Sequence, residues 1–158
     1  MAQIFFGTKL HTIFVYGIKS RGEFPNVYRD FIRDHGAPSA LRRDNAQEEK
    51  SEQVVDINRE FMIQDQFTEP YHQQQNPVES SAIRYLKSHV QVLLDNTGAP
   101  DSTWYLAVQY VADIHKICSD CNLPDEMTPL QSIQDRCNPR YFSLPSVYIL
   151  ATYIVFGS

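Results

Sequence analysis

The stretch from Asn76 to Leu94 restricts the fold more than any other. Asn76 is a good N-cap, and Pro77 falls at the first helical position, where its missing N–H leaves no bond unmade. Ala82, Ile83, Leu86, Val90, Leu93 and Leu94 then form one apolar stripe, and Gly98-Ala99-Pro100 stops the helix. A helix that is apolar along one side has to lie against another layer. A carboxylate sits within the stripe. At the 3.6-residue turn, Ile83, Leu86 and Val90 fall within about 40° of Glu79. A carboxylate in that place must be paired, bound to metal or open to a cleft. The simpler alternative is a capping box between Asn76 and Glu79. The two readings do not exclude each other.

The rest of the chain supplies the other layer. Gln3-Ile4-Phe5-Phe6 and Thr12-Ile13-Phe14-Val15-Tyr16 are β-rich runs joined by a short turn, which predicts an antiparallel hairpin. Both are almost continuously apolar, as strands covered on both faces would be. Phe24, Val27, Tyr28, Phe31 and His35 follow helical spacing, opened by Pro25 and ended by Gly36 and Pro38. Ser39 to Arg43 is a short strand, cut off at Asp44-Asn45. Glu48 to Glu52 leads into a second helix with Val54, Ile57 and Phe61 inward, and Gln66-Phe67-Thr68 is a strand candidate. A last helix, capped by Asp101, carries Trp104, Ala107, Val108, Val111, Ile114 and Cys118. Strands alternating with helices argue an α/β layer architecture.

Composition narrows the class. At 158 residues, 42% hydrophobic and 21% charged, the chain has the make-up of one globular core. A net charge of −5 weighs mildly against a nucleic-acid partner, since phosphates are held mainly by Lys and Arg, although local placement matters more. No signal peptide is evident, and the apolar run from Val147 to Phe156 is shorter than the roughly 20 residues a bilayer needs. No membrane partner is expected. Three cysteines form no disulfide framework.

Taken alone, Asp44-Asn45 after a short strand is ordinary turn chemistry. The surrounding words change that. Leu41, Asp44, Asn45 and Glu48 match a Leu-x-x-Asp-Asn strand end with an acid four positions later. Pro70, Tyr71, Gln74, Gln75, Asn76 and Glu79 match a Pro-Tyr-x-x-Gln-Gln-Asn loop that opens a long helix, and thirty-five positions separate Asp44 from Glu79. These words, over roughly residues 2 to 130, resemble the catalytic core of retrotransposon integrases, most closely the copia type.

The resemblance implies a ribonuclease-H-like fold, a mixed five-stranded sheet flanked by helices. It implies phosphoryl transfer on DNA, assisted by Mg²⁺ or Mn²⁺. Asp44 and Glu79 stand where the family has its second and third metal-binding acids. The family's first acid lies on a strand that precedes the hairpin. No Asp or Glu occurs before Glu23, so the chain is expected to lack that strand and its carboxylate. Pro77 also stands where the family usually has Gly after the loop Asn, with Glu one position later.

Metal binding is therefore expected to be weak, and strand transfer by this chain alone little or none. The alternative is a nucleic-acid-binding or assembly remnant that works without chemistry. Lys87 and Arg84 on the Glu79 helix, Arg43 beside Asp44, and His72 and Asn76 in the loop are the candidates for DNA contact; a solvated helix face is the competing reading for Arg84 and Lys87. Homo-oligomer formation is left open, and the location is nuclear if the chain works as an integrase.

Two further readings complete the sequence. His115, Cys118, Cys121 and Cys137 invite a zinc site, but Cys118 falls on an apolar stripe and Cys137 has no second ligand close to it. Residues 1–130 form the partial core-like domain, and 131–158 form a divergent apolar tail. In that tail Tyr141 to Phe156 reads as a buried strand or an aggregation-prone extension.

Overall fold

The protein is described from a computed structural model covering residues 1–8, 11–43, 52–67, 77–118, 120, 123, 125, 127–131 and 148–154. Strands β1 (Ala2–Gly7) and β2 (Thr12–Gly17) form the expected hairpin, from Ala2↔Gly17 to Gly7↔Thr12. His11 makes the turn with φ 50°, in the left-handed region. Helix α1 (Phe24–His35) follows, with Pro25 in its first turn. Gly36 ends it at φ 87°, and its N–H donates to the Ile32 carbonyl at 2.8 Å. Then come β3 (Ala40–Arg43), α2 (Glu52–Glu60) and β4 (Gln64–Phe67), a parallel strand pair joined by a helix. Helices α3 (Pro77–Thr97) and α4 (Trp104–Ile117) are separated by Gly98, at φ 62°, and a 3-10 turn.

The last element, β5 (Tyr148–Ile154), comes from the apolar tail and is a strand, one of the two forms its composition predicted. It stands in the middle of the sheet, whose order is β2-β1-β5-β3-β4. β5 runs antiparallel to β1, with Phe5↔Ala151, and parallel to β3, with Arg43↔Ala151. The sheet is thus mixed, as the resemblance implied, and it has five strands where a chain lacking the family's first strand was expected to have four, because β5 takes the central place. No described strand stands ahead of β1 in sequence.

Two cores flank this sheet because side chains alternate along β1. On one face Phe5 meets Phe24, Tyr28, Phe31, Leu41, Val54 and Ile57. On the other, Ile4 and Phe6 meet Ala82, Leu86 and Val90 of α3 and Ala107, Val108 and Val111 of α4. All six residues of β1 are buried, which explains its continuous apolar run. Fully burying one such side chain stabilises the fold by about 1.5–3 kcal/mol.

Four expectations are corrected. Phe61 is exposed, because α2 ends at Glu60 and Ile63 takes the inward place. Cys118 is exposed, because it caps α4 in extended backbone instead of continuing the stripe. Asp101 opens the 3-10 turn, and its side chain makes no cap; the residue before α4 is Thr103. Strand β4 begins two residues before Gln66, where the Gln64 N–H donates to the Ser39 carbonyl at 3.0 Å.

Candidate functional site

Strands β3, β4 and β5 run parallel, so their carboxyl ends open on one edge of the sheet. In open α/β sheets that edge is where ligands bind. Arg43 is the last residue of β3 and pairs with Ala151 on one side and Phe67 on the other. Asp44 follows it and lies outside the described residues, as do Glu48, the Pro70–Gln75 loop with His72, and Asn76.

Helix α3 starts at Pro77, as its residue preferences predicted. Its buried positions Ala82, Leu86, Val90 and Leu94 repeat every fourth residue against the β1 face that carries Ile4 and Phe6. Glu79 falls in the first turn, and the phase of the helix aligns its position with Leu86 and Val90. Its side chain, like that of Arg43, lies outside the described part. The capping and the site readings of Glu79 therefore both stand.

The basic residues divide into two groups. Arg84 and Lys87 are exposed on α3. Arg42, half-buried, instead reaches the Gln66 side-chain oxygen across the β3–β4 pair at 3.5 Å, so part of its hydrogen-bonding capacity is used within the sheet.

A second polar group gathers where α4 ends. The His115 Nε2–H donates to the His11 carbonyl at 2.8 Å, and His11 Nδ1 pairs with Asp120 at 2.8 Å. The Tyr85 ring lies 4.9 Å from that of His115. Burial holds the His115 imidazole below its usual pKa, against the opposing pull of its hydrogen bond and of Asp120. Sequence reasoning weighed His115 as a zinc ligand and missed His11 and Asp120, which are 109 positions apart. The geometry makes His115 a fastener between α4 and the hairpin turn. Among the described residues no group of three His, Cys, Asp or Glu is placed to hold a metal; Cys121 and Cys137, like Asp44, fall outside them. Among the described residues, too, no helix is long and apolar enough to cross a membrane.

No family model and no curated protein sequence matches the chain. Among solved structures, the HTLV-2 integrase catalytic core domain, determined in complex with magnesium in a trimeric form, superimposes with a TM-score of 0.65 over 82% of each chain, at 13% identity. An identity that low speaks for the fold alone. The chain has the ribonuclease-H-like fold of a retroviral integrase catalytic core.

Proposed function

We propose that this chain is a copia-type integrase core that keeps two of its three metal-binding carboxylates, Asp44 and Glu79, and that it binds DNA with little or no strand transfer of its own. The observation that carries the proposal is the central strand. The integrase fold needs five strands, four of which match in order, and β5 completes the sheet between β1 and β3. We infer that β5 stands in for the family's first strand. Its sequence, Tyr-Ile-Leu-Ala-Thr-Tyr-Ile, contains no acid.

The register sharpens this reading. Arg43, the last residue of β3, pairs with Ala151 of the central strand, and Asp44 is the next residue in sequence. Thr152, the neighbour of Ala151, pairs with Ile4 of β1. In this reading Asp44, next after β3 in sequence, and Glu79, in the first turn of α3, are the two acids, and the strand between β1 and β3 supplies no third. Mg²⁺ takes oxygen ligands and is often held by one or two carboxylates, so these residues fit one ion. Two ions about 3.5–4 Å apart need a carboxylate between them, and the sequence of β5 contains none. When bound, the metal would stabilise charge at a phosphate oxygen. The protein's own part is to position DNA, with Lys87 and Arg84 as exposed cations on α3 for the phosphates.

The test compares wild type, the Asp44→Asn/Glu79→Gln double variant and Thr152→Asp. It uses Mn²⁺-dependent thermal stabilisation together with cleavage and joining of a short DNA duplex. Wild type should be stabilised slightly by Mn²⁺ and should not join DNA, the double variant should lose the metal response, and Thr152→Asp should strengthen it. Efficient joining by wild type would show that the site is complete. An unchanged metal response in the double variant would leave metal-independent DNA binding as the function.

A further inference from the structure

The place that β5 fills is built by other elements. β1 lines it antiparallel, from Ala2↔Ile154 to Gly7↔Ile149, and β3 lines it parallel, from Ala40↔Tyr148 to Arg43↔Ala151. The two walls share a core of their own, in which Phe5 of β1 and Leu41 of β3 meet Tyr28 and Phe31 of α1 and Val54 and Ile57 of α2. β2 and β4 pair with the outer edges of these walls. A segment that enters between two strands has to be extended, and its backbone supplies the hydrogen bonds whatever its side chains, as in peptides that add a strand to a sheet. Its direction is fixed, because it must oppose β1 and follow β3. Charge is excluded, because Ile4, Phe5 and Leu41 beside it are at most 1% exposed and a charge there would be buried unpaired. The sequence of β5, Tyr-Ile-Leu-Ala-Thr-Tyr-Ile, has no charge.

One polar group in the β1 wall is left over. Gln3 is fully buried, and its amide nitrogen donates to the Ile4 carbonyl at 3.2 Å. Its side-chain oxygen accepts no hydrogen bond among the described residues. A buried acceptor without a donor is costly. Gln3 pairs with Tyr153 of β5, and directly opposed residues on antiparallel strands have Cβ atoms about 4.5–5.5 Å apart. A short amide or hydroxyl side chain at that place can reach the Gln3 oxygen and donate to it. β5 also holds its seat at a disadvantage. Gly7 and Ile149 are 142 positions apart, and a flexible tether gives an effective concentration of about millimolar at most. We propose that the cleft between β1 and β3 is a strand-exchange seat, which β5 holds by default and which takes up an uncharged extended segment of another chain with a hydrogen-bond donor opposite Gln3. Neither Asp44 nor Glu79 takes part, so the seat works whether or not the chain binds metal.

The experiment uses the full chain with Ala151→Pro, whose own β5 cannot complete both ladders. The probes are synthetic peptides spanning Tyr148–Ile154, extended at both ends by lysines for solubility. The peptide of native sequence should restore a cooperative melt by circular dichroism, with a midpoint that rises as peptide is added, and the reversed sequence should not. By fluorescence anisotropy, the peptide with Tyr153→Asn should bind roughly tenfold more tightly than that with Tyr153→Leu, and Gln3→Leu in the chain should remove the preference. A second measurement keeps the native β5, in a chain with Ala2→Cys and with Cys118, Cys121 and Cys137 changed to Ser. Refolded from urea with excess Tyr153→Asn peptide, it should cross-link on oxidation to a peptide that also carries Ile154→Cys, the position opposite Ala2, and not to one that carries Ile149→Cys. Failure of both the rescue and the cross-link would overturn the proposal, as would cross-links formed equally from both positions. Equal binding of the Asn and Leu peptides would overturn the part assigned to Gln3.

Discussion

Strand β1 has two neighbours that reach it in opposite ways. Gly7 pairs with Thr12, five positions on, in β2, and with Ile149, 142 positions on, in β5. The first contact is a hairpin that closes on its own. The second needs almost the whole chain, and the difference in loop-closure entropy is about 3 kcal/mol against it. Yet the distant strand is the central one, holding the β1–β2 half of the sheet to the β3–β4 half. Until it is seated, β1 and β3 each present a bare edge, and bare edges invite wrong partners. The hairpin is thus local and peripheral, whereas β5 is remote and indispensable.

Ala151→Pro tests that contrast most severely. Ala151 pairs with Phe5 on one side and Arg43 on the other, and a proline there removes a ladder donor from a strand with partners on both edges. The expected outcome is loss of cooperative thermal unfolding by circular dichroism, with association of the misfolded chain. A variant that melts at the wild-type temperature would show that the central position does not depend on β5.

A smaller but still large effect is expected at Phe5, where the two halves share a core. Its ring lies 4.5 Å from Phe31, 5.8 Å from Tyr16 and 6.2 Å from both Phe24 and Tyr28. Phe5→Ala should cost about 3–5 kcal/mol, as for a large core aromatic, read from the midpoint of urea unfolding. A loss below about 1 kcal/mol, ordinary for a surface site, would mean that this face is less tightly packed than the ring distances indicate.

What was legible in the sequence follows the same division. The hairpin, α1, α3 and α4 were readable because their signals lie within one turn or one strand: Pro25 and Gly36 around α1, Pro77 and Gly98 around α3, alternation or stripe within each. The run Tyr141 to Phe156 was readable as a strand or an aggregation-prone extension, but the place of Tyr148–Ile154 between β1 and β3 was not, because pairing depends on contacts that periodicity does not encode. The misplacements of Phe61 and Cys118 share one cause. Helical spacing was carried past Glu60 and past Ile117, where the backbone leaves the helix. The candidate site was readable only through its words. Asp44 and Glu79 are unremarkable singly, and it took Leu41 to Glu48 and Pro70 to Glu79 together to suggest a shared role. The His11–Asp120 pair left no local trace.

The smallest effect concerns the local half. His115 ties α4 to the hairpin turn through the His11 carbonyl, and burial lowers its pKa in the folded protein. The groups around it are Tyr85, His11, His89 and Asp120. In the unfolded chain the imidazole titrates near its ordinary value of about 6.5. Above that pH both states are neutral and the contribution of His115 to stability is intact. As pH falls below it, the unfolded chain takes up a proton before the folded one does, so stability declines, and the decline is complete once pH has passed through the lowered folded value. His35, whose ring is tilted against that of Phe14 at 4.2 Å, is lowered by burial too and adds a slope of the same sign. In His115→Gln an uncharged amide can still donate to the His11 carbonyl, so only the proton linkage is removed. The melting temperature of wild type should fall more steeply on acidification than that of His115→Gln. Equal slopes would show that His115 is as well solvated when folded as when unfolded, and that the hairpin turn is not closed over it.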